Sequence, residues 1–206
     1  MRAKVDAFSL QSSWDANLWS HADYEDLKKE VKTHYIIEQG YKCAYCDRMN
    51  VTTNHSQWDV DHIISRGSSP RFLFEPTNLA VSCRDCNITK SDKEVLRRPG
   101  RKTLPRNSSD YIIVHPHYDE YGEHIGWIDF ICYPKFGSIK GQKTIEVCGL
   151  LRYARMQLGV DSLVVDDKFM KAISALTRKT PRREAVAVMN YLLEYLYPDE
   201  ENSVVS

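Results

Sequence analysis

Six cysteines occur in the chain, and four of them form two spaced pairs, Cys43-Ala-Tyr-Cys46 and Cys83-Arg-Asp-Cys86. A CxxC turn brings two thiolates close together, and two such turns offer the four soft, anionic ligands that Zn²⁺ takes at tetrahedral corners. The pairs enclose residues 47 to 82, too long an insert for a simple zinc ribbon. An ion held by all four sulfurs has no open coordination position, so it would brace the ends of the insert and take no part in chemistry. Cys132 and Cys148 lie in apolar segments and read as small buried hydrophobes.

The insert and its exit hold groups of another kind: Asp59-Val-Asp61-His62-Ile-Ile, then Asn78-Leu-Ala-Val, then Asn87-Ile-Thr-Lys90. Hydrolysis of a phosphodiester needs a base to deprotonate water, a hard cation to hold phosphate oxygens, and a rigid frame. Histidine suits the first task. Carboxylate and amide oxygens suit Mg²⁺ or Mn²⁺. Taken one at a time these residues have ordinary readings: a strand carboxylate, a structural histidine, a turn asparagine, a helix cap, a solvated lysine. Their joint occurrence between two CxxC pairs points to a hydrolytic site.

The run CAYC…DVDHIISRG…NLAVSCRDCNITKSDK resembles the HNH, or ββα-metal (His-Me finger), endonuclease motif in its zinc-stapled form, over about residues 40–95. The stretch Asp59–Ile63 is also similar to the HNH domain of the RNA-guided CRISPR nuclease. The resemblance implies that His62 is the general base and that Asp61 and Asn87 bind the catalytic ion. It implies further that Asn78 ties down the loop that orients His62. Lys90, one helical turn after Asn87, would face the scissile phosphate, with Arg84 and Arg66 as further candidates for backbone contacts. Many HNH proteins carry His where this chain has Asn87, an oxygen-donating variant. Asp59 shares a strand face with Asp61 and is read as a strand residue in preference to a supporting group.

These groups need elements to carry them. Tyr24–Gln39 has helical periodicity, with Leu27, Val31, Tyr35 and Ile36 on one face and Gly40 to end it. Ser56–His62 and Leu79–Ser82 read as strands, Ser65–Thr77 as a loop, and the chain is expected to turn helical near Asn87 and stop before Pro99. Arg97–Ser109 reads as a basic linker. Strands are expected near Tyr111–His115 and over Ile125–Tyr133, then helices over Lys143–Leu158, Asp167–Arg178 and Pro181–Leu196. The stripes Val147, Leu150, Leu151, Ala154 and Ala185, Val188, Leu192, Tyr195 read as core. The expected class is α+β: an N-terminal helical segment (1–40), a zinc-stapled ββα-metal nuclease core (41–106) and a mixed, mainly helical C-terminal region (107–206).

His115-Pro-His117-Tyr-Asp119-Glu120 has metal-ligand residue types but meets no spacing rule, and it reads as a polar turn. The pattern HPHYDEYGEHIGW…KGQKTIEVCGLLRYARM is loosely similar to the segment after the nuclease core in HNH subunits of Septu and retron-type anti-phage systems. That resemblance implies an ABC-type ATPase partner.

The 206 residues are 42% hydrophobic and 27% charged, the composition of a folded globular protein. There is no apolar run of about 18 residues for a membrane span, and the N-terminus lacks a signal-peptide pattern. A cytoplasmic protein is expected, in which cysteines serve as ligands or thiols, not disulfides. Net charge is zero, but residues 41–106 carry twelve Lys/Arg against seven Asp/Glu, net +5, in the segment that holds the chemistry. A local positive field attracts a phosphate backbone whatever the total. DNA is favoured as substrate. The alternatives are an RNA-cleaving effector, with tRNA as one target, and a non-catalytic zinc-stapled nucleic-acid-binding or adaptor module.

Overall fold

A computed structural model describes residues 15–158, apart from 53, 129, 136 and 137. The expected helices Asp167–Arg178 and Pro181–Leu196 lie outside the described residues. The architecture is mixed α and β, and the described residues fall into two compact units. One runs from Asp15 to Tyr121 and includes Val147–Gly149; the other comprises Gly122–Glu146 and Leu150–Leu158. Among the described residues no helix is long and apolar enough to cross a membrane.

The first unit opens with two 3-10 turns, Ala16–Ser20 and Ala22–Tyr24, which lead into helix α1 (Glu25–Glu38). Leu27, Val31, Tyr35 and Ile36 are its buried face, at the spacing of a helical stripe. The helix stops where Gly40 takes φ 59°, a conformation that costs glycine nothing. Strands β1 (Trp58–His62) and β2 (Leu79–Cys83) pair antiparallel, with Trp58 opposite Cys83 and His62 opposite Leu79. Helix α2 (Arg84–Lys90) follows β2 without a break and ends at Ser91, whose φ of 47° turns the chain away. Both α1 and α2 pack on the two strands, with Trp58, Ala80 and Val81 fully buried between them.

A two-stranded sheet leaves one outer edge of β2 open. Here the Gln39 side chain fills it. Its amide donates to the Val81 carbonyl at 2.8 Å and accepts from the Val81 N–H at 2.8 Å, the pair of bonds a neighbouring strand would make. The same amide also donates to the Lys42 carbonyl at 2.9 Å, which fastens the entry to the first CxxC turn.

Three expectations are corrected. Tyr111–His115 is not a strand: only Tyr111 forms a bridge, to Leu96, because the His-Pro step then folds into a turn. In that turn the His115 ring stacks on Tyr118 at 4.1 Å, and Asp119 accepts from the His115 N–H at 2.7 Å. Ile125–Tyr133 is a hairpin, not one strand, with β3 (Ile125–Ile128) pairing β4 (Ile131–Pro134) in the second unit. The region from Lys143 to Leu158 is two helices. They are α4 (Ile139–Val147) and α5 (Arg152–Leu158), α3 being the single turn Tyr121–His124. Gly149 causes the break: it sits at φ 60°, and a Cβ there would lie 2.7 Å from the Thr89 methyl on α2.

Gly149→Ala therefore places an L side chain in left-handed backbone and against Thr89. The expected loss is at least about 1–2 kcal/mol from the backbone alone, read as a lower urea midpoint with unchanged m-value.

Candidate active site and metal centre

The four sulfurs of Cys43, Cys46, Cys83 and Cys86 lie within 4.8 Å of one another, the only such cluster of His, Cys, Asp or Glu ligands among the described residues. The first CxxC turn is a tight hairpin, closed by the Cys43 N–H on the Arg48 carbonyl at 3.2 Å and by Asp47 at φ 53°. The second straddles the junction of β2 and α2, so Cys86 rides on the first turn of the helix. The Cys83 N–H donates to the Cys43 sulfur at 3.3 Å, and the Ala44 N–H to the Val81 carbonyl at 3.0 Å. Four thiolates, three of them buried, fit a closed tetrahedral zinc site.

His62 ends β1 and is 6% exposed. Its Nε2 lies 3.0 Å from the Leu73 carbonyl. A carbonyl only accepts, so Nε2 carries the proton and Nδ1 keeps the lone pair. Burial pushes the imidazole pKa down to about 4, helped by the charges of Arg66 and Lys90 and opposed by the Leu73 carbonyl. At neutral pH the ring is uncharged and can take a proton at Nδ1. The rings of Trp19 and His62 meet nearly at right angles, 85°, with a centroid distance of 4.6 Å.

Asn78 holds the loop behind His62. Its Oδ1 accepts from the Ile64 N–H at 2.8 Å, and its Nδ2 donates to the carbonyls of Ile64 and Phe72 at 3.2 and 3.1 Å. The asparagine is fully buried, so each of these bonds replaces one that water cannot supply.

Lys90 does not point to solvent. It is 0% exposed, and its Nζ reaches Asp61 Oδ2 at 3.0 Å, Oδ1 at 3.2 Å and the His62 carbonyl at 2.9 Å, 5.7 Å from the centre of the Tyr45 ring. The Tyr45 hydroxyl donates to Asp61 Oδ2. Burial and the Asp61 charge raise the Tyr45 pKa well above its ordinary value, which keeps the hydroxyl protonated. Burial pushes the Asp61 carboxyl up, while Lys90 and Tyr45 pull it back toward ionisation.

Asn87, one turn before Lys90, donates from Nδ2 to Asp59 Oδ2 at 3.0 Å. Its amide oxygen is thereby left as a donor to a cation. Asp61 and Asn87 line one cavity with His62, and Asp59 is bonded to Asn87; their oxygens are of the kind Mg²⁺ or Mn²⁺ takes, with the Asp61 oxygens also held by Lys90 and Tyr45. Arg66 is exposed and donates to Ser20 at 3.0 Å, and Arg84 is exposed at the start of α2.

Several contributors had no role in the sequence reading. Tyr45 is hidden inside a CxxC spacer, and Trp19 is distant in sequence. Asp59 had a usable signal, its place two residues before Asp61 on a strand. His117 donates from Nε2 to the Leu79 carbonyl at 2.7 Å, opposite His62 across the sheet. The His-Pro-His turn is thus bonded to the strand that faces the site.

Residues 43–93 match the family model for HNH endonuclease. They are an HNH endonuclease domain. Such a domain is a phosphodiester hydrolase, and His62, Asn78 and Asn87 lie on its strand, turn and helix respectively. A stretch of 66 residues of the chain is 35% identical to protein ea31 of Escherichia phage lambda, 31% of this chain and 21% of that protein. Over 149 residues the chain is 23% identical to Septu protein PtuB of Bacillus thuringiensis, 70% of this chain and 52% of PtuB. The chain thus spans no more than about half the length of either relative. No solved structure matches the chain at a significant level.

The buried ammonium of Lys90 gives this HNH domain a test of its own. Lys90→Met strands the Asp61 carboxylate and is expected to cost about 3–5 kcal/mol. Adding Asp61→Asn removes the unpaired charge and recovers part of the loss. Urea unfolding of the two single variants and the double variant measures the coupling.

Proposed function

We propose that the chain is a metal-dependent HNH endonuclease that hydrolyses phosphodiester bonds in nucleic acid, DNA in preference to RNA. Its four cysteines hold a structural zinc. The observation that carries the catalytic reading is the state of His62. A neutral ring whose Nε2 proton is committed to Leu73 presents Nδ1 as the base for an attacking water. Asn78 fixes the loop that carries the ring, and Lys90 fixes the strand's last carbonyl, so the base is aimed before substrate arrives. Asp61 and Asn87, with Asp59 beside them, would hold Mg²⁺ or Mn²⁺. When bound, that ion supplies charge to the phosphate oxygens and eases departure of the leaving oxygen. Lys90 acts from within: it holds Asp61 and the His62 carbonyl, a positioning task in place of a phosphate contact.

The biological setting we propose is anti-phage defence in the cytoplasm, with an ABC-type ATPase subunit as partner. The likeness to a Septu protein supports this reading. So does a need for restraint, since a nuclease without sequence specificity would harm its host.

Purified protein, offered plasmid and single-stranded DNA, is expected to cut DNA with Mg²⁺ or Mn²⁺. His62→Ala is expected to lower the rate by about 10²–10⁴-fold while keeping one zinc per chain by metal analysis. Cleavage unaffected by the substitution would overturn the assignment of the base. Preferential cutting of bulk tRNA would move the substrate to RNA.

A further inference from the structure

Two cavities flank the HNH site within the first unit. One, of about 460 Å³, contains His62, Asp61 and Arg66 in its wall. The other, of about 530 Å³, lies between α1 and α2. Trp19, Val60 and Asn87 line both, so the indole stands at the boundary between the reaction cavity and the second groove.

The second groove has two walls of distinct chemistry. Along α1 the inward stripe is spent on the core, which leaves Lys28, Lys29 and Lys32 to face the groove at helical spacing. Arg84 adds a fourth cation from α2. Lys28 and Lys29 pair along the helix with Glu25 and Asp26, Lys32 donates to the His55 carbonyl at 3.3 Å, and Asp59 is engaged by Asn87, so four cations stand against two carboxylates, Glu25 and Asp59, in the lining. Between these charges lie apolar surfaces: a half-buried Trp19, and Ile88 at 63% exposure. A row of cations beside an accessible indole is the combination that holds a flexible polynucleotide, with phosphates on the cations and an unstacked base on the aromatic face. A duplex presents phosphates outward and keeps its bases stacked, so it would leave the indole and Ile88 unused.

We infer that this groove binds a single-stranded segment of polynucleotide next to the scissile phosphate, with Trp19 stacking the nucleotide that enters the reaction cavity. The enzyme then acts on unpaired strands. This rests on the nuclease reading and adds its substrate class. Trp19 and the lysine wall precede the segment that matches the HNH model, whereas Arg84, Asn87 and Ile88 lie within it.

The test uses full-length, zinc-loaded His62→Ala protein, which binds without cutting. Fluorescence anisotropy measures its affinity for a 15-nucleotide DNA strand, the same sequence as RNA, and the DNA duplex. The single strands are expected to bind at least about tenfold tighter than the duplex, with the DNA and RNA arms deciding which strand is preferred. Adding Lys28→Ala and Lys32→Ala should weaken single-strand binding and reduce the salt slope by about 0.7 per lost phosphate contact. Trp19→Ala should weaken it about tenfold and Trp19→Phe much less, as base stacking requires. Equal affinity for the duplex, or affinity and salt slope unmoved by the lysine and tryptophan variants, overturns the inference. Hydrolysis of bis(p-nitrophenyl) phosphate, a diester too small to need the groove, is compared in parallel between the natural chain and His62→Ala. His62-dependent hydrolysis alongside unmoved strand binding discards the groove and keeps the nuclease. Absence of hydrolysis discards the nuclease reading on which the inference rests.

Discussion

A lysine ammonium with no access to water dictates much of this site. Transferring such a charge out of water is costly unless it is paired and hydrogen-bonded. Lys90 finds its compensation in the Asp61 carboxylate, the His62 carbonyl and the face of Tyr45. Those partners come from β1 and the first CxxC turn, whereas the lysine belongs to α2. Strand, helix and knuckle can therefore take only the relative placement that keeps the ammonium satisfied. A helix of seven residues has little stability of its own. This one is held by a cysteine in its first turn and by a buried ion pair in its last.

The same arrangement explains why the histidine can be both buried and useful. Its ring is buried beside two cations, Arg66 and Lys90, which favours the neutral form, and one nitrogen is occupied by a backbone carbonyl. The loop supplying that carbonyl is fastened by Asn78, and the strand opposite is fastened by His117. None of these contacts touches the reacting atoms. Together they leave one nitrogen uncommitted, in one tautomer, on a residue that lines the cavity.

The parts legible in the sequence were those with local signals. The CxxC pairs, the helical stripe Leu27–Val31–Tyr35 and the alternation around Asp61 are read from neighbouring residues, and the corresponding elements are present within a residue or two. What the chain did not reveal depends on distant partners. Lys90 at a helix end reads as solvated unless one knows that a carboxylate and a tyrosine converge on it. The apolar pattern from Lys143 to Leu158 runs straight through Gly149, and only the approach of Thr89 explains the break there. Tyr111–His115 has strand composition, but the His-Pro step and the Asp119 carboxylate draw it into a turn.

Gln39 carries a consequence of a different kind. A small sheet with an exposed edge is a template on which any extended segment can add itself, from the same chain or another. By matching the N–H and C=O of Val81, the glutamine makes that part of the edge look already paired. The sheet that carries the histidine is thus kept at two strands without spending a third.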